Sequence, residues 1–156
     1  MSIWKKIQSF TDKITGKSAL VQLQIDGSSM KALFVVRVTV SVSDSPITIR
    51  KVAVRLKSEE TIIARNVNLH NPMVSHGKRR DVKQQEILFQ SESNLSIESL
   101  SLEANQNYEF EGEFVLSKEA MPTYKGRNAT HQWYVQAYID TLGSNPSSEW
   151  VRFTVV

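Results

Sequence analysis

Three histidines, His70, His76 and His131, are the side chains of this chain best suited to ligate a metal or move a proton near neutral pH. A zinc site needs three or four ligands converging at about 2.0–2.3 Å. His70 and His76 share one polar stretch, and the sequence around them supplies no tight pair of further ligands. Exposed loop histidines are the reading, with no metal and no cofactor expected. Ser75 or Ser91 could complete a Ser–His–acid set on paper, but neither sits in a nucleophile elbow. Glu109, Glu111 and Glu113 form an acidic row. Alternate residues of a strand lie about 7 Å apart and stay solvated, so nothing raises a carboxyl pKa for acid–base work. The sequence therefore predicts no catalytic residue and no enzyme.

Cations are the remaining candidates. Lys78, Arg79, Arg80 and Lys83 crowd into the polar stretch at residues 70–84, which reads as a mobile loop. Such a loop is solvated by default. Its functional reading is recruitment of an anionic partner through arginine forks. A second basic row, Lys51, Arg55 and Lys57, alternates along another segment and is a candidate for cross-strand pairing with the acidic row. The net charge of +3 is spread over both signs, which excludes a nucleic-acid-binding composition.

The elements that must position these groups are strands. Phe34, Val36, Val38, Val40 and Val42 alternate with more polar residues, and so do Tyr108, Phe110, Phe114 and Leu116. A period of two marks a strand with one buried face. The same period runs through Val21 to Ile25 and through Trp133, Val135, Ala137 and Ile139. Between Ile47 and Ser58 the phase slips near Arg50 and Lys51, which predicts a bulge or a strand switching sheets. Further strands are expected at about 61–69, 86–91, 99–103 and 150–156. That is roughly eight strands divided by turn signals, with no βαβ alternation: an all-β antiparallel sandwich of immunoglobulin-like kind. At 156 residues, one such domain over residues 18–156 has enough chain for a core without disulfides, and there is no cysteine to form one.

Residues 1–17 read differently. Ile3, Trp4, Ile7 and Phe10 fall near helical spacing with lysines between them, so a short amphipathic helix is expected. It has three candidate roles: packing over the sandwich, lying on an anionic membrane surface, or docking in a partner's groove. No continuous apolar stretch suits a secretory signal or a membrane span, which points to the cytoplasm. The final strand, with Trp150, Arg152 and Thr154, is a candidate edge for pairing with a second copy or an extended peptide.

The last third resembles the end of the amino-terminal domain of arrestin-like proteins. Tyr108-Glu109-Phe110-Glu111-Gly112-Glu113-Phe114 is followed by Met121-Pro122, Tyr124-Lys125-Gly126 and Trp133-Tyr134-Val135-Gln136-Ala137-Tyr138-Ile139-Asp140. The beginning, Met1 to Lys6 ahead of a β domain, resembles bacterial sporulation-control proteins of that fold. Two features depart from the pattern: Gly27-Ser28-Ser29 stands where a Pro-Gly-Glu corner is usual, and one domain stands where arrestins have two. The resemblance implies a non-enzymatic adaptor or regulatory module that binds protein partners; the alternative is a peripheral membrane protein held by residues 1–17.

Overall fold

The computed structural model describes residues 18–28, 33–68 and 79–156. The expected helix with Ile3, Trp4, Ile7 and Phe10 lies outside the described residues, as do Lys78, His70 and His76. What is described is all β. The strands are β1 (Ala19–Ser28), β2 (Leu33–Val42), β3 (Ile47–Asn68), β4 (Arg79–Ser96), β5 (Leu100–Leu102), β6 (Asn107–Val115), β7 (Tyr124–Lys125), β8 (Ala129–Thr141) and β9 (Val151–Phe153). All named pairs are antiparallel. One sheet has the order β1-β2-β6. The other has the order β4-β3-β8-β7, with β5 extending the β4 side of β3 and β9 pairing with β8.

The alternation read from sequence decides which face meets the core. Phe34, Val36, Val38 and Val40 of β2 are buried, while Arg37 between them is exposed. Phe110 and Phe114 of β6 join the same core, and Val52, Val54, Leu56, Trp133, Val135 and Ile139 close it from the opposite sheet. Phe153 bridges the two layers: its ring lies 4.9 Å from Phe34 and 5.8 Å from Phe114, edge-on to both, and 6.0 Å from Trp133. Edge-to-face rings of this kind add about 0.5–1.5 kcal/mol each beyond their area.

The slip at Arg50–Lys51 is present. The β3–β8 register shifts between Ile49 and Lys51, and the extra residue puts both Ile49 and Val52 fully inside the core. Two expectations need correction. Residues 47–58 and 61–69 are not two strands: β3 runs unbroken for 22 residues, because each register shift absorbs a phase change that the sequence pattern reads as an end. The polar loop likewise gives way at Arg79 to β4, an 18-residue strand. β8 accompanies β3 as far as Ile62, and beyond it β3 and β4 run on as a two-stranded ribbon; residues 79–92 of β4 are exposed along their whole length. Among the described residues, no helix is long and apolar enough to cross a membrane.

Candidate functional site

The far end of the β3–β4 ribbon gathers charge of one sign. A register shift leaves Arg65 and Asn66 opposite Asp81, between the pairs Ala64–Val82 and Val67–Arg80. Asn66 takes the left-handed conformation that such an extra residue needs, at φ 56°. Asp81 secures it by accepting the Asn66 amide at 2.9 Å and Arg65 Nη1 at 3.4 Å. Arg65 also reaches the β7–β8 turn, donating to the Arg127 carbonyl at 3.0 Å and to Asn128 Oδ1 at 3.2 Å. Arg65, Arg79, Arg80, Lys83 and Arg127 therefore share one end of the sheet, with Asp81 as the acid embedded among them. Asp81 is engaged by Arg65; Arg79, Arg80, Lys83 and Arg127 have no ion pair among the described residues.

The candidate residues Arg79, Arg80 and Lys83 lie on a strand rather than in the expected loop. Alternation sends Arg80 to the core-side face and Arg79 and Lys83 to the outer face, so cations flank the ribbon on both sides. Sequence reasoning missed Arg65 and Arg127. Arg127 is 44 positions or more from the basic run, and only the β3–β8 pairing brings its turn alongside.

Nearer the sandwich, several charges are paired. The proposed partnership of the two charged rows fails, because the acidic strand β6 lies in the other sheet, beside β2. Glu111 pairs instead with Arg37 at 3.0 Å. Glu92 of β4 takes Lys51 at 2.8 Å, Arg55 at 3.6 Å and the Tyr138 hydroxyl at 2.6 Å. Lys51 and Tyr138, acting as donors, hold the Glu92 carboxyl below its ordinary range, and Glu92 in turn holds the Lys51 ammonium above its own. Arg55 lies over the Tyr138 ring at 4.1 Å, which explains why this outward-parity tyrosine is buried. Lys57 pairs with Glu59 and sits 4.5 Å from the Trp150 ring.

His131 overturns the loop reading for that residue. It is fully buried on β8, edge-on to Trp133 and stacked on Tyr124. Nδ1 lies 2.9 Å from the Pro122 carbonyl oxygen, which can only accept. Nδ1 therefore donates to that carbonyl, and buried Nε2 has no hydrogen-bond partner. The Tyr124 hydroxyl donates to Glu60 at 2.6 Å, which pushes the phenol above its ordinary value rather than activating it as a nucleophile. Among the described residues, no group of three or more His, Cys, Asp or Glu could hold a metal ion.

The candidate edge at Trp150, Arg152 and Thr154 is short. β9 pairs only from Val151 to Phe153, and past it Val155 exchanges bonds with Thr123, at 3.0 Å to its hydroxyl and 2.7 Å from its amide.

No family model matches the chain, and no curated protein matches it. Solved structures do. The sporulation control protein Spo0M of Bacillus subtilis superimposes with a TM-score of 0.58 at 13% identity, over 89% of this chain and 49% of that one. This chain thus spans about half the length of Spo0M. A structural-genomics target aligns at 16% identity over 88% of this chain and 87% of its own, with a TM-score of 0.38. The first of these likenesses shows the fold alone, in agreement with the strand pattern of the last third: the chain has an all-β, arrestin-like fold.

Proposed function

We propose that this domain is a non-catalytic regulatory binding module, and that the basic end of the β3–β4 ribbon receives an acidic segment of a protein partner. One observation carries the reading: four cations, Arg79, Arg80, Lys83 and Arg127, have no ion pair among the described residues, whereas Lys51, Arg55 and Lys57 nearer the sandwich are paired. Unpaired arginines at the end of the ribbon offer forked donors to carboxylates without first breaking an internal bond. The likeness to a protein named for sporulation control supports a regulatory role, and the function stays a proposal because only about half of that protein is matched.

A glutamate- and aspartate-rich decapeptide, labelled for fluorescence anisotropy, tests the reading. The full chain binds it at low salt, and affinity falls as salt rises. Arg80→Glu with Arg127→Glu weakens binding by at least about tenfold, since hydrogen bonds to charged groups contribute about 1.5–3 kcal/mol each. Equal affinity in the double variant rejects the site. Anionic vesicles run in parallel are the competing outcome: capture by vesicles with no affinity for the peptide replaces the protein partner with a lipid surface.

A further inference from the structure

β4 is the outermost strand of its sheet, paired with β3 on one side. Among the described residues no strand pairs with its other side, and residues 79–92 are exposed. Such an edge is a template for another strand. It carries Val82, Ile87, Leu88 and Phe89, each more than a third exposed. From this geometry we infer that the edge is a seam for a second copy of the same chain, the two β4 strands running antiparallel about a twofold axis normal to the sheet.

The register follows from the order of the residues. Directly opposed residues must share a face, so the axis must pass through a residue. Leu88 takes no part, because it is the extra residue between the pairs Ser58–Phe89 and Glu59–Ile87. An axis through Lys83 or Glu86 sets that charge against its own copy. One through Val82 leaves Ile87 and Phe89 uncovered, and one through Gln84 sets Val82 against Glu86. One through Ile87 sets Glu86 against Phe89 and runs into Leu95, which lies over Gly112 of β6. An axis through Gln85 has none of these faults. Gln85 meets Gln85, Gln84 meets Glu86, Lys83 meets Ile87 and Val82 meets Phe89. Asp81 meets Gln90, Arg80 meets Ser91, and Arg79 meets Glu92. Every residue from Arg79 to Glu92 except Leu88 gains a counterpart, no like charges oppose, and each favourable pair occurs twice by symmetry. The two six-stranded sheets become one continuous sheet. Arg127 lies off the seam, whereas Arg79, Arg80 and Lys83 lie within it, so self-association and the proposed anion contact share three cations.

The absence of cysteine makes the test direct. Sedimentation of the full chain at rising concentration, up to millimolar, takes the mass from 17.7 kDa towards twice that value. Gln85→Lys alone and Gln85→Glu alone each sediment as monomers, because like charges then meet at the axis. Mixing the two restores the dimer. Gln85→Cys cross-links to itself on oxidation, and Gln90→Cys, on the same exposed strand but off the axis, does not. A monomeric wild type throughout this range overturns the inference. So does a dimer that tolerates both charged variants, or a Gln85→Cys dimer that fails to cross-link.

Discussion

At the scale of single residues, Glu92 shows how position on the sheet decides what a charge does. Its carboxylate gathers Lys51, Arg55 and the Tyr138 hydroxyl from β3 and β8, and so ties the edge strand to the sheet's centre. The carboxyl is held below its ordinary range, chiefly by the Lys51 bond and then by Tyr138. A depressed folded-state pKa stabilises the fold above the unfolded carboxyl value, and that contribution disappears as pH falls through the folded value. For Lys51 the shift is upward, so its share is present below the ordinary lysine range and vanishes above it. The pair therefore contributes from roughly pH 5 to pH 10. Glu92 is 40% exposed, and solvent screening limits the contribution to below about 1 kcal/mol. Glu92→Gln should lower stability by that amount in denaturant titrations at pH 7. The gap between variant and wild type should close below about pH 4. A gap that persists unchanged in acid would show that packing, rather than charge, holds the strand.

At the scale of elements, two glycines mark where strands approach too closely for a side chain. A Cβ on Gly27 would sit 2.3 Å from the Phe34 ring, its cross-strand partner. A Cβ on Gly112 would sit 2.2 Å from a Leu95 methyl group. The distances are alike, but the neighbours differ. Phe34 is buried and stacked on Phe114, with Phe153 against its edge, so its ring has nowhere to go. Leu95 is partly exposed and its methyl is the end of a flexible chain. Gly27→Ala should therefore cost about 1–3 kcal/mol by thermal or chemical denaturation, the range for overpacking a core. Gly112→Ala should cost clearly less. The same contrast bears on what sequence could reveal. The faces of β2, β6 and β8 were legible because alternation is a local signal; so was the bulge at Arg50–Lys51. The length of β3 and β4 was not, because residues 79–92 are exposed on both faces and none of residues 59–67 is fully buried, which leaves no strong burial pattern to read. Arg79, Arg80 and Lys83 were legible as a cluster of cations. Their company with Arg65 and Arg127 was not, since it depends on strand pairing distant in sequence. His131 was misread because a lone histidine has no signature distinguishing a buried carbonyl partner from solvent.

At the scale of the whole molecule, core and contact surface are separate. The buried cluster on the β3–β8 pair ends near Leu56 and Trp133; β3 adds no fully buried apolar residue beyond that point, and β4 reaches the core through half-buried Leu95 and through the Phe89 ring, 5.3 Å from Trp133. The ribbon's outer half is held by backbone pairing, by Arg65 and by the bond from the Ile63 amide to the Asn128 carbonyl at 2.7 Å. Little stability should therefore depend on its tip. Ile63 and Lys83 are directly opposed, so residues 64–82 can be replaced by Asn-Gly, a pair suited to a two-residue hairpin turn. That variant should keep its midpoint of denaturation within about 1 kcal/mol of the parent, because it loses no core contact and closes a shorter loop. It should also lose affinity for the acidic decapeptide, having lost Arg65, Arg79 and Arg80 together. Hydrogen exchange at concentrations where the intact chain is monomeric supplies the check: amides of residues 79–86 should exchange far faster than those of Val36 to Val40 in the centre of the other sheet. Protection of the ribbon equal to that of the core would mean that it folds as one unit with the sandwich, and the truncated variant would then be expected to unfold.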